Sequence, residues 1–334
     1  MKEVFKGLPN YSDIEQLHLF NGAIANENRI YLLGRIHKDN VKDSKIKKRV
    51  LMYQRDNPLE RQLTVVTTLL GYTDIDCEMS YYPEEQCFLS STGGKRCIIR
   101  GSEVISDNDE QNASITKMRL IGKREYAPSS TRRVFYRDND GKHQLLGEGQ
   151  AYQNYDTYDR PFDEDDEPDV IAMITEDGFE DVDGFDENHI YAVGGHGDVW
   201  RYSDSLWTQC GFPANLGLEN VCCGEDGLVY ISGLEGMTYV GIEDNWTALK
   251  NPELSLPFKD VAWYDGKVWA TSDYGTWWIT PNGIMDANIP DEVKVCSGRL
   301  HKNAGMLLLV GLGGAALLEN DEWQLLFNYS EFMP

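Results

Sequence analysis

The 334-residue sequence has no run of eighteen apolar residues, so it offers no candidate membrane-spanning helix. Residues 1–16 hold no apolar core of the kind a secretory signal needs, and a cytoplasmic protein is expected. Histidine is scarce. The six (His18, His37, His143, His189, His196 and His301) form no His-Glu-x-x-His pattern and none stands at zinc-ligand spacing from a cysteine. There is no Gly-Lys-Ser/Thr phosphate loop. The seven cysteines are odd in number and lack a disulfide-scaffold spacing, so reduced, buried thiols are expected. Cys77, Cys87 and Cys97 stand ten apart, which puts them on consecutive strands, while the adjacent pair Cys222–Cys223 is the one to titrate. From these absences no catalytic residue, metal or cofactor is assigned.

Positive charge is the other shortage: 31 Lys and Arg stand against 55 Asp and Glu, a net charge of −24. The imbalance is uneven. Residues 1–150 carry 23 basic and 21 acidic groups, residues 151–190 carry 1 and 15, and residues 191–334 carry 7 and 19. Such a surface repels nucleic acid and anionic membranes and attracts a basic protein partner. The exception is the insert 37–48, with Lys38, Lys42, Lys45, Lys47 and Lys48, which reads as a solvated hairpin tip and, in the sharper alternative, as a nucleic-acid patch.

What the chain does contain is a fourfold repeat over Phe179 to Asn328. The segments HIYAVGGHGDVWRY (189–202), LVYISGLEGMTYVG (228–241), KVWATSDYGTWWIT (267–280) and MLLLVGLGGAALLE (306–319) align without a gap. One column is always glycine, at Gly197, Gly236, Gly275 and Gly314. Each glycine is expected at a tight turn with positive φ between two strands. A further strand begins at Trp207, Trp246, Ile284 and Trp323, and another opens upstream as FEDV, LENV, FKDV and EVKV. The valines anchoring these openings, Val182, Val221, Val261 and Val295, lie 39, 40 and 34 residues apart, with small residues following at Cys222, Ala262 and Cys296. Four short strands at this period predict a propeller blade, whose two faces are covered by its neighbours once a ring closes.

The first half carries weaker copies. A blade opens at Ile14, with later strands at Arg29–Gly34, Arg49–Arg55 and Gln62–Thr68, and residues 3–9 read like the end of a blade. A second spans Asp74 to Asp109, where Cys87 to Gly94 repeats the seven-residue interval to a turn glycine. A third, Ile115 to Gly149, is irregular because Pro128 and the following Ser-Ser-Thr interrupt its second strand. The expected fold is all-β: one closed β-propeller over 1–334 with seven four-stranded blades, six being the alternative. Residues 150–178 break the repeat. Tyr152, Tyr155 and Tyr158 alternate with acids before the run Asp163, Glu164, Asp165, Asp166 and Glu167. That run lacks the alternating order of a calcium loop. Tyrosines supply contact area and carboxylates steer a basic partner, so these eight residues are the candidate partner-binding set.

The order of apolar strand, glycine turn, aromatic strand and tryptophan resembles BNR-type and photosystem-assembly-factor-like propeller repeats. The resemblance implies the fold; such propellers serve as sialidases, assembly factors and binding modules. The sialidase Asp box is not matched, since Ser203-Asp204-Ser205-Leu206-Trp207-Thr208 lacks its glycine and reverses Trp and Thr. Residues 191–334 also hold only Arg201 and Arg299 where a sialidase needs an arginine cluster. The leading expectation is a non-enzymatic inhibitor or immunity protein that masks a basic toxin such as a nuclease. The alternatives are a sialidase-like or glycan-binding propeller, with Tyr274 and Trp277 stacking on sugars, and an assembly scaffold.

Overall fold

A computed structural model describes residues 17–36, 38, 40–107, 115, 117–149, 178–249 and 257–328. Seven sheets form a ring. Blade one is β1 (Leu17–Ile24), β2 (Arg29–Ile36), β3 (Lys48–Gln54) and β4 (Leu63–Leu69). Blade two is β5 (Ile75–Ser80), β6 (Gln86–Ser91), β7 (Arg96–Arg100) and β8 (Glu103–Ser106). Blade three is β9 (Arg119–Ile121), β10 (Arg124–Pro128), β11 (Val134–Arg137) and β12 (His143–Leu145). After the two-residue β13 (Glu148–Gly149), blade four is β14 (Phe179–Asp186), β15 (His189–Gly194), β16 (Asp198–Ser203) and β17 (Leu206–Gln209). Blade five is β18 (Leu218–Cys223), β19 (Val229–Gly233), β20 (Thr238–Ile242) and β21 (Asn245–Leu249). Blade six is β22 (Asp260–Tyr264), β23 (Lys267–Ser272), β24 (Gly275–Thr280) and β25 (Gly283–Asp286). One helical turn, α1 (Asp291–Lys294), precedes blade seven: β26 (Arg299–Asn303), β27 (Met306–Gly311), β28 (Gly314–Glu319) and β29 (Glu322–Asn328).

Each blade is an antiparallel meander running outward from the axis. The repeat glycines turn the chain between the second and third strands, all with positive φ: 76° at Gly197, 71° at Gly236, 135° at Gly275 and 146° at Gly314, with Gly94 at 79° in blade two. At Gly197 sterics add a second reason, because a Cβ there would stand 1.9 Å from the Ala214 carbonyl oxygen.

The apolar runs of the sequence follow from the blade's two covered faces. On β27, Met306, Leu308 and Val310 pack against blade one, while Leu307 and Leu309 face blade six. On β2, Ile30 and Leu32 meet blade seven, and Tyr31 and Leu33 meet blade two. The core is therefore divided into seven apolar clusters, one in each gap between blades. Each fully buried Leu, Ile or Val contributes roughly 1.5–3 kcal/mol. The ring closes by packing, without strand exchange among the described residues: β29 completes blade seven and β1 begins blade one. An ion pair of 2.6 Å between Arg55 and Glu319 supports this seam.

Three expectations need correcting. Val295 does not open a strand; it follows α1, is 51% exposed, and the inner strand starts at Arg299. The anchor position belongs to Leu300, 39 residues after Val261, so the small residue after it is not Cys296 but the position of His301. The spacing of 34 was the sign, and a Pro-capped turn absorbed the missing residues. Pro128 and the Ser-Ser-Thr tract do not interrupt a strand: β10 ends at Pro128, whose partner is Val134, and the tract lies in the turn between them. Blade three ends at β12, because Glu148 and Gly149 pair in parallel with Leu206 and Trp207 on the outer edge of blade four. Residues 3–9 and 14–16 lie outside the described residues.

Candidate binding face and the axial network

Four antiparallel strands return the chain to the face it started from. Every connection between blades, and every turn between second and third strands, therefore opens on one face. The other face carries the remaining within-blade turns. Both inserts follow from this rule. The lysine-rich stretch joins β2 to β3, and the tyrosine–acid stretch leaves Gly149 at the edge of blade four and re-enters at Gly178, before its innermost strand. Tyr152, Tyr155, Tyr158 and Asp163 to Glu167 themselves lie outside the described residues.

The axis beneath that face is filled by ion pairs. Lys117 Nζ lies 2.8 Å from Asp181 Oδ2, 2.8 Å from Asn220 Oδ1 and 2.9 Å from Asp260 Oδ1. Arg119 grips Asp181 through Nε (3.0 Å) and Nη2 (2.9 Å), and its Nη2 also donates to Asp260 at 2.7 Å. Two cations from blade three thus reach blades four, five and six. Asp181 and Asp260 also hold neighbouring inner strands, as does Asp183: Asp181 Oδ2 accepts from Val221 N (3.2 Å), Asp183 Oδ2 from Cys223 N (2.8 Å) and Asp260 Oδ2 from Leu300 N (2.9 Å). Asn220 Nδ2 donates to the Phe258 carbonyl at 2.8 Å, and Asp76 Oδ2 accepts from Met118 N. Burial alone would raise Asp260; Arg119, Lys117 and Arg299 outweigh it and hold its carboxyl well below the usual range. Asp183 has weaker cationic compensation, and burial keeps its carboxyl raised.

At the seam, Ile24 N donates to His301 Nδ1 (3.1 Å), so the ring proton sits on Nε2, 2.6 Å from Glu78 Oε1. One histidine thereby joins blades seven, one and two. This network was missed in the sequence, though its signal is there: Asp181, Asn220 and Asp260 each stand immediately before an anchor valine.

Above the network lies a cavity of about 1050 Å³, lined by Leu216, Leu234, Pro257, Glu180, Glu219 and Glu235 among others. Burial, then Glu219, raises the Glu180 carboxyl; burial also raises Glu219, with Lys117 opposing. Around the mouth the loops expose Leu70 (58%), Leu234 (46%), Tyr274 (65%), Val295 (51%) and Leu312 (56%). Apolar exposure around a cavity mouth suits a contact surface; the opposite face also exposes Leu59, Phe185, Leu206 and Ile242.

Comparison with known proteins fits this architecture. No family model matches the chain. In sequence it is 27% identical, over 262 residues, to Immune protein Tsi7 of Pseudomonas aeruginosa, covering 76% of this chain and 80% of that protein. In structure it resembles the WD40 β-propeller domain of Doa1 (TM-score 0.58, 9% identity, 89% of this chain and 90% of the other). It also resembles YCF48 from Cyanidioschyzon merolae (TM-score 0.57, 12% identity, 90% and 95%). The fold is a seven-bladed β-propeller. The likeness to photosystem-assembly-factor-like propellers holds at the level of fold.

The remaining sequence expectations separate cleanly. In the lysine-rich insert, Lys38, Lys42, Lys45 and Lys47 are exposed, but Lys48 is buried and bridges Asp43 at 2.7 Å, a structural role. Trp277 donates from Nε1 to Ser272 Oγ at 2.9 Å and packs in the gap between blades five and six, whereas Tyr274 is exposed on the loop face. All seven cysteines are unpaired and buried, and Cys77, Cys87 and Cys97 do fall on consecutive strands. Burial pushes the Cys222 and Cys223 thiols above the usual range, and slow labelling of the adjacent pair by a thiol reagent is expected.

Proposed function

We propose that this chain is an immunity-type protein that binds another protein, a toxin, through the face carrying its inter-blade connections. The observation that carries the reading is the 27% identity over 262 residues with a protein named Immune protein Tsi7. The exposed Leu70, Leu234, Tyr274, Val295 and Leu312 support a macromolecular contact on that face. A basic toxin, such as a nuclease, is the finer form of the proposal, supported by the net charge of −24 and the carboxylates of the axial cavity. Tyr152, Tyr155, Tyr158 and Asp163 to Glu167 are proposed to contact it, since the segment bearing them is tethered to this face at Gly178. Action in the cytoplasm completes the reading, in keeping with seven unpaired cysteines.

The test begins with tagged protein recovered from its native host and its bound proteins identified. Each is then expressed as a candidate toxin in a naive cell, with and without this chain. Growth restored on co-expression supports the reading; a captured set with no toxin that the chain neutralises rejects it. Reversing the charge of Asp163 to Glu167 is expected to slow association about tenfold at low salt and much less at high salt.

A further inference from the structure

The axial cavity deepens this reading. At its floor Asp181 and Asp260 are paired with Lys117 and Arg119, and Arg299 acts on Asp260 and Asp76. On the wall, Asp273 is held by Lys259 at 2.5 Å. Glu219 and Glu235 then add negative charge to the same cavity, whose lysines and arginine are already engaged by those acids. Between these carboxylates the walls are apolar, at Leu216, Leu234 and Pro257. Leu234 and Glu235 sit together on the β19–β20 turn, with Glu235 at φ 59°, so the acid and the apolar contact are delivered by one short loop.

We infer that this cavity receives an arginine or lysine side chain, flanked by an apolar residue, from a protruding loop of the protein partner. The site combines a desolvating apolar wall with Glu219 and Glu235, two carboxylates that form no ion pair among the described residues, a setting that suits a cationic anchor. Residues 151–177 contain ten acids and the single Arg160, the same sign as Glu219 and Glu235, so charge favours an occupant supplied by a partner. The inference rests on the immunity reading only for the identity of the partner.

A labelled leucine–arginine–leucine peptide in a glycine–serine frame, and a twin with citrulline in place of arginine, provide the probe for the full chain. Fluorescence polarisation is expected to show the arginine peptide binding about tenfold tighter than its neutral twin. Glu219→Gln with Glu235→Gln should abolish that preference. Glu235→Gln alone, an exposed turn position that leaves the blades intact, should reduce it about threefold. Equal binding of the two peptides, or a preference undiminished in the variants, overturns the inference. Growth rescue by co-expression is a separate readout, so a chain that rescues growth without this preference loses the cationic pocket and keeps its immunity role.

Discussion

At the residue scale, the turn glycines separate two costs that usually come together. Gly197 and Gly275 both have positive φ, but a Cβ on Gly197 meets the Ala214 carbonyl oxygen, while one on Gly275 has nothing within 4 Å. Gly275→Ala is expected to cost about 1 kcal/mol and Gly197→Ala well over that, as read from urea unfolding midpoints. Glu125 makes a second case. It is fully buried, with His143 Nε2 at 2.8 Å and Arg137 Nε at 3.0 Å. Burial would raise it, but the two partners hold it at about 2. A carboxyl depressed on folding stabilises the native state above its ordinary value of 4.5, and that contribution is lost as the pH falls toward 2. Unfolding midpoints measured over this range should fall steeply for the native chain and less steeply for Glu125→Gln, which starts lower.

At the scale of the element, an inner strand is fixed by its acid as much as by its apolar side chains. Asp260 tethers Leu300 N and neutralises Lys117 and Arg119, so Asp260→Asn leaves buried cations undercompensated. A loss of about 3–5 kcal/mol is expected, measured by denaturant unfolding, against under about 0.5 kcal/mol for the exposed Asp265→Asn. The outer three strands of blades four to seven were legible because a turn needing positive φ and a buried aromatic leave fixed residues at fixed spacing. Inner strands were less so. Val295 has the right neighbours, yet a helical turn takes it, and only the restored period at Leu300 shows the true strand. The axial network was not read at all, since Lys117 and Arg119 meet Asp260 across 141 or more residues and no local pattern joins them. The loop face as a whole was not deduced, although an even number of strands per blade requires it.

For the molecule as a whole, charge and topology act together. The loop face carries the exposed Lys38, Lys42, Lys45 and Lys47 at blade one and Glu219, Glu235 and Asp273 at blades five and six, so its charge is unevenly placed around the ring, while Glu225, Asp226, Glu243, Asp244 and Asp265 lie at turns of the opposite face. A partner approaching the loop face meets an orienting field as well as an attractive one.

The unexchanged seam between blades seven and one has a further consequence. Because each four-stranded blade is a contiguous piece of chain and, among the described residues, the seam is closed by side-chain packing, hydrogen bonds and an ion pair without shared strands, the place where the polypeptide is cut is arbitrary with respect to the ring. The gene is in effect a linear tape of cassettes wound into a circle, and circular permutation or blade duplication can alter it without splitting any cassette.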